Sequence, residues 1–193
     1  TACMSNLKQA GIALALYADD YQDHIPPTPG PTGGGYSGGN DHNLFEHSSN
    51  QGMGFLLGGN YMPPKIMGCP SSGSSGALSS YDLRPAVVHS NWESGATTYG
   101  AYFYRETFFE SAGKLSVLEN NGVPRDAILM DYSTDQGGGN TITMHKFEWT
   151  NILYRDGHGT GTANSQELGS PFTTDFSLGI NETVWGNADA TDN

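Results

Sequence analysis

"TACMSNLKQAGIALALYADDYQDHIPP", Thr1–Pro27, is the stretch on which the fold turns. Cys3, Leu7, Ala10, Leu14, Tyr17 and Tyr21 recur at alternating steps of four and three, which lines one face of an α-helix. Ile12, Ala13 and Leu16 widen that face beyond a coiled-coil seam, as a helix lying on a sheet requires. Lys8, Gln9, Asp19 and Asp20 fall mostly on the other side. Pro26 and Pro27 end the pattern, since a proline ring offers no N–H and clashes with the preceding turn. The spacing predicts a helix over residues 1–23, ~30 Å long at ~1.5 Å per residue. The chain starts inside this pattern without a capping residue, which reads as a cut within a longer helix.

Beyond the helix, residues 24–97 read as loop-rich. "TPGPTGGGYSGGNDHN", from Thr28, carries a formal GxGxxG match at Gly33, Gly35 and Gly38. No strand precedes it and no amphipathic helix follows, so the context that cradles a phosphate is missing. "GMGFLLGGNYMPPKIMGCPSSG" is a short apolar segment closed by prolines and by Cys69-Pro70. Strands follow over residues 98–163. "TTYGAYFYRE" alternates, with Tyr99, Ala101 and Phe103 on one side and Tyr102 and Tyr104 on the other. "VPRDAILMDYS" reads as a strand buried on both sides around Ile128, Leu129 and Met130. "TITMHKF" and "WTNILYRDGHGTGTA" complete the set, the latter turning at Asp156-Gly157 as a type I′ hairpin. Residues 164–193 show no period and read as a tail that wraps the domain and frays. One helix followed by strands, without alternation of the two, predicts a single α+β domain over residues 1–193 with a mostly antiparallel sheet.

Bulk properties narrow the function classes. Of 193 residues, 36% are apolar and 15% charged, with 27 glycines and 10 prolines, so much of the length goes into turns. The net charge of −12 argues against nucleic acid or an anionic membrane surface as a partner, because phosphates demand Lys and Arg. No apolar run approaches the ~20 residues that cross a bilayer. Cys3 and Cys69 stand outside any CxxC pair, which excludes a four-thiolate zinc site within the chain. They are either two buried thiols or, in an exported protein, a disulfide.

The chemistry-bearing residues admit several readings. No HExxH motif occurs among them. Asp131 and Asp135 flank "DYSTDQGGGN", and Asp156 ends a strand expected beside it. Carboxylates on irregular backbone suit calcium, although no EF-hand pattern is present and ordinary solvated acids are the plainer reading. Tyr99, Tyr102, Tyr104, Trp149 and Tyr154 would make a sugar-stacking platform if they shared an exposed face, and core packing otherwise. A metal-assisted hydrolase using His145, Asp156 and His158 requires those side chains to converge around a cation.

The segments together resemble a known family. "CMSNLKQAGIALALYADDYQDHIPP" is similar to the stretch that follows the membrane-spanning half-helix of type IV pilin-like proteins and type II secretion pseudopilins. The nearest resemblance is to the bacterial group with a prepilin-type N-terminal cleavage and methylation sequence and a C-terminal H-x9-DG motif. "GMGFLLGGNYMPPKIMGCPSS", "AILMDYS" and "HKFEWTNILYRDGHGTG" match further segments of that group in order. His145, Asn151, Asp156, Gly157 and His158 occupy the motif, with ten residues rather than nine between His145 and Asp156. The resemblance implies a pilin-like fold and a structural subunit, without catalysis or an obligatory cofactor, in a type II secretion or type IV pilus-like assembly of the bacterial cell envelope. It implies partner subunits bound through the N-terminal helix and anchorage in the inner membrane through a preceding segment. A secreted or anchored module binding carbohydrate or calcium on the same scaffold is the alternative. An exported setting favours a Cys3–Cys69 disulfide clamping the Cys69 loop to the helix. In this reading the His145–Gly161 stretch is a hairpin completing the sheet, with His145 and Asn151 holding neighbouring backbone.

Overall fold

The computed structural model of the chain describes residues 2–27, 40–46, 49–76, 81–105, 114–115, 119–120, 123–124, 127–131, 133–135, 141–164, 173–174 and 182–191. The GxGxxG match at Gly33, Gly35 and Gly38 lies outside them. Helix α1 spans Ala2–Asp20 and buries Cys3, Leu7, Ala10, Ala13, Leu14, Tyr17 and Ala18. Full burial of Leu7 and Leu14 contributes about 1.5–3 kcal/mol each. Ile12 and Leu16 are a correction to the widened face: they are 62% and 53% exposed, on the side turned away from the sheet. Tyr21 is also exposed and stacks on Tyr17, their centroids 4.2 Å apart. The helix stops before the prolines, where Gln22 and Asp23 take positive φ values of 57° and 71°.

Strands β1 (Asn40–Glu46) and β2 (Ser49–Asn50) come next, then the short helix α2 (Gly54–Gly58) and a 3-10 turn at Pro64–Met67. Strand β3 (Gly73–Ser75) and helix α3 (Pro85–Ser94) precede β4 (Thr98–Arg105). The described part of residues 24–97, read from sequence as loop-rich, thus includes three strands, β1 to β3, and two helices, α2 and α3. Helix α3 has Pro85 in its first turn and ends on Gly95 at φ 68°, whose N–H bonds the Asn91 and Trp92 carbonyls. A two-residue pair, β5 (Glu119–Asn120) and β6 (Val123–Pro124), leads to β7 (Ala127–Asp131), buried at all five positions. Strands β8 (Ser133–Asp135), β9 (Thr141–Thr143), β10 (Trp149–Tyr154), β11 (Gly159–Ala163) and β12 (Thr173–Thr174) follow. Helix α4 (Glu182–Ala190) lies within the stretch read from sequence as a fraying tail.

The main sheet has six strands in the order β11-β10-β7-β4-β1-β2, every neighbouring pair antiparallel. A second sheet, β12-β8-β9-β3, is antiparallel except for the β12–β8 pair. The architecture is α+β, with α1 lying on β10, β7 and β11. Two glycines permit that close approach. A Cβ on Gly11 would sit 2.6 Å from Leu153 Cδ2, and one on Gly159 would sit 2.6 Å from Met4 Sδ.

Helix α4 is tied to the sheet by polar bonds. Arg105, 3% exposed, donates from Nη1 to Asp189 Oδ1 at 2.9 Å and from Nη2 to Asp189 Oδ2 at 3.1 Å. Asp189 Oδ1 also accepts the Ala127 backbone N–H at 3.0 Å, and Tyr154 Oη donates to the Ala188 carbonyl at 2.9 Å. Among the described residues no helix is long and apolar enough to cross a membrane.

Candidate functional site

Strand β7 ends on Asp131, and β10 runs antiparallel beside it with Ile152 opposite Met130. That register brings Asn151 level with Asp131, which is fully buried. Its Oδ1 accepts the Asn151 backbone N–H at 2.8 Å, and its Oδ2 accepts Asn151 Nδ2 at 2.5 Å. His145 Nε2 lies 2.9 Å from the same Oδ2. The tautomer that satisfies the carboxylate carries its proton on Nε2, which donates to Oδ2. Asn151 Nδ2, 2.8 Å from that nitrogen, is then spent on the carboxylate rather than on the ring. Bonds of this kind to a charged group contribute about 1.5–3 kcal/mol each, and a buried carboxylate needs them.

His145 reaches this position from an unusual turn. "TITMHKF" was expected as one strand, but pairing stops at Thr143 and residues His145–Phe147 form a tight turn. His145, Lys146 and Phe147 have φ values of 49°, 57° and 64°, so three consecutive non-glycine residues are left-handed. Each costs about 1–2 kcal/mol against the right-handed form. Ser133 Oγ accepts the Met144 N–H at 3.0 Å just before the turn, and β10 begins just after it. Strain of this kind persists only where surrounding structure imposes it.

Beside the imidazole lies the disulfide Cys3–Cys69, its Cα atoms 5.4 Å apart and its residues 66 positions apart. Closing a loop of that length contributes about 4 kcal/mol by chain entropy. The pairing joins the start of α1 to the Cys69-Pro70 turn, the clamp expected from the resemblance. Asn6 Nδ2 donates to the Gly68 carbonyl at 2.9 Å, and Tyr102 Oη donates to the same oxygen at 3.2 Å. Burial, then the Asp131 charge, pushes the Tyr102 phenol well above its ordinary pKa. Both sulfurs and one ring nitrogen of His145 lie within 4.8 Å of one another.

The remaining expected site residues lie elsewhere. Asp131 and Asp156 do not assemble a calcium site. Asn151, level with Asp131, is separated from Asp156 by the rest of β10, at least ~10 Å at ~3.3 Å per strand residue. The Asp131 oxygens are moreover committed to Asn151 and His145. Asp135 ends β8, and its side chain lies outside the described residues.

Asp156 and His158 pair with each other instead. Asp156 Oδ1 accepts the His158 N–H at 2.9 Å and lies 2.5 Å from His158 Nδ1. The His158 N–H, then its ring, holds the Asp156 carboxyl below the usual carboxylate range. The His158 ring stacks on Tyr154, centroids 4.3 Å apart. The turn also departs from type I′. Tyr154 N–H bonds His158 O and Gly157 N–H bonds Tyr154 O, both at 2.9 Å, closing a three-residue loop. Gly157 has φ 87° whereas Asp156 has no positive φ, the pattern of a type I turn with a bulge. His145 therefore sits at the far end of β10 from Asp156 and His158, and the hydrolase arrangement is not formed.

The sugar-stacking platform is also absent among these rings. Tyr102, Tyr104 and Tyr154 are buried, Tyr99 packs half-buried against Tyr81, and only Trp149 is exposed. Among the described residues, Cys3, Cys69 and His145 are the one group of three or more His, Cys, Asp or Glu side chains whose ligand atoms converge. The motif pointed to His145, but its spacing did not place the imidazole against the two sulfurs. The chain matches no protein-family model, no curated protein and no solved structure.

Proposed function

We propose that the chain is a structural subunit, pilin-like in fold, of a type II secretion or type IV pilus-like assembly in the bacterial cell envelope. It acts by packing against other copies or related subunits through α1, held in the inner membrane by a preceding segment until assembly, and it carries out no catalysis. The observation that supports this reading is an exposed apolar pair on the outward side of α1. One side of the helix covers the sheet, while Ile12 and Leu16, one turn apart, stand exposed on the other. Large aliphatic side chains aligned on an outward helix face fit burial against a neighbouring helix.

The ordered resemblance of the four segments supplies the kind of assembly. The test is the double substitution Ile12→Glu with Leu16→Glu in the producing cell. Recovery of the protein in high-mass envelope assemblies should fall at least tenfold, with the far-ultraviolet circular dichroism of the purified chain unchanged. Undiminished recovery would overturn the proposal.

A further inference from the structure

The disulfide is the oxidised form of something else the same residues make. Opened, Cys3 and Cys69 become two thiols facing one imidazole, and that imidazole is backed by a buried carboxylate. We infer that Cys3, Cys69 and His145 form a redox-gated site for a thiophilic divalent cation, of which Zn2+ is the natural fit. The disulfide closes the site and reduction opens it.

Four observations carry this inference. Both sulfurs and a ring nitrogen of His145 lie within 4.8 Å of one another. Zn–S bonds of about 2.3 Å and Zn–N bonds of about 2.0–2.1 Å place tetrahedral ligands roughly 3.6–3.8 Å apart, so the cluster needs little movement to surround an ion. The His145 side chain is 13% exposed beside the enclosed Cys3 and Cys69, so the approach to the cluster lies on the side of the imidazole.

His145 is also equipped as a ligand is. Nε2–H donates to Asp131, the carboxylate–imidazole pairing that orients zinc-bound histidines and raises their basicity, which leaves Nδ1 as the nitrogen with a lone pair for a metal. Finally, the backbone accepts three successive left-handed residues where His145 is held. Strain concentrates where a side chain must be delivered to a particular place. A sulfur-and-imidazole donor set excludes calcium and magnesium, which take oxygen, and favours zinc among common divalent ions.

The chemistry balances with a named reductant. A dithiol passes two electrons and two protons to the S–S bond and is itself oxidised to a disulfide. A phosphine does the same with water, becoming the phosphine oxide. Each sulfur emerges as a thiol, and Zn2+ then replaces both thiol protons, releasing them to solvent. Reoxidation by a small-molecule disulfide, which takes up two electrons and two protons to become two thiols, re-forms the Cys3–Cys69 bond and releases the metal.

The experiment is a titration of the chain held reduced with a phosphine, using Co2+ as the spectroscopic probe and Zn2+ as its competitor. Near-ultraviolet circular dichroism follows tertiary structure throughout. One equivalent of Co2+ should give sulfur-to-cobalt charge transfer with a tetrahedral spectrum, displaced by one equivalent of Zn2+. The oxidised chain should give neither signal. His145→Ala should weaken Zn2+ binding by at least about tenfold. His145→Gln serves as a second variant that keeps a polar group toward Asp131.

If reduction alone abolishes the tertiary signal, stoichiometric Zn2+ should restore it in the native sequence and in neither variant. The inference is overturned if the reduced chain shows no thiolate–cobalt absorption or if the His145 variants bind as tightly as the native sequence. Binding by an ensemble that stays unfolded overturns it equally. None of these outcomes depends on whether the chain assembles through Ile12 and Leu16.

Discussion

Lys146 offers a direct measure of the strain that places His145. It is the middle residue of the left-handed turn, with φ 57°, and its side chain is exposed. Lys146→Gly therefore removes a Cβ from a left-handed position and loses no packing. Relief of the left-handed conformation returns about 1–2 kcal/mol. The greater freedom of glycine in the unfolded chain takes back about 0.5–1 kcal/mol. The net gain spans about 0–1.5 kcal/mol and centres on ~0.8 kcal/mol, a rise in Tm of about 2–3 °C for a domain of this size. Urea denaturation of the oxidised protein followed by circular dichroism resolves such a difference, with Lys146→Ala as the control. Alanine removes the same side chain but keeps the Cβ, so its midpoint should stay close to that of the native sequence. A glycine variant no more stable than the alanine variant would refute the argument that this turn is strained.

Two further outcomes follow from other parts of the molecule. Asp189→Ala leaves the enclosed Arg105 guanidinium without its carboxylate and the Ala127 N–H without its acceptor, a loss of about 3–5 kcal/mol by analogy with other broken buried pairs. Replacing both residues, Arg105→Met with Asp189→Leu, should recover much of that loss in urea denaturation; a double variant as unstable as the single one would count against an electrostatic origin. The Asp156 carboxyl titrates below its ordinary value of 3.8, so its stabilising contribution is complete above that value and disappears as the pH falls through the lowered one. Asp156→Asn should accordingly flatten the fall in urea midpoint between about pH 5 and about pH 2, and identical slopes for the two proteins would refute the pairing with His158.

Helix α1 was legible because its apolar residues repeat at helical spacing, which requires no knowledge of the rest of the chain. That same spacing misplaced Ile12 and Leu16. Periodicity identifies a helix and its strongest face, but it does not say how wide a strip the sheet beneath will cover. Strands β4, β7 and β10 were legible from their aromatic and branched residues. Strand β1, with the sequence NDHNLFE, was not: its ladder to β4 is made by backbone, and Leu44 is the residue whose burial is plain. Helix α3 carried readable signals in Pro85 and Gly95, outweighed by a polar surface. Helix α4 contains Gly186 and owes its place to Arg105 and Tyr154, both distant in the chain.

The site lay beyond local reading for a related reason. Asp131, His145 and Asn151 meet only through the β7–β10 register and a turn that no glycine announces. A left-handed turn built from His145, Lys146 and Phe147 runs against local preference, so nothing short of tertiary structure would suggest it. The disulfide supplies one side of that constraint, because Cys3 fixes α1 against the Cys69 turn at the point where the imidazole arrives. The β7–β10 ladder supplies the other, because its register sets Asp131 and Asn151 side by side against His145. Cleaving the disulfide would remove the first constraint and keep the second. The imidazole would then remain held by Asp131 within reach of two thiols.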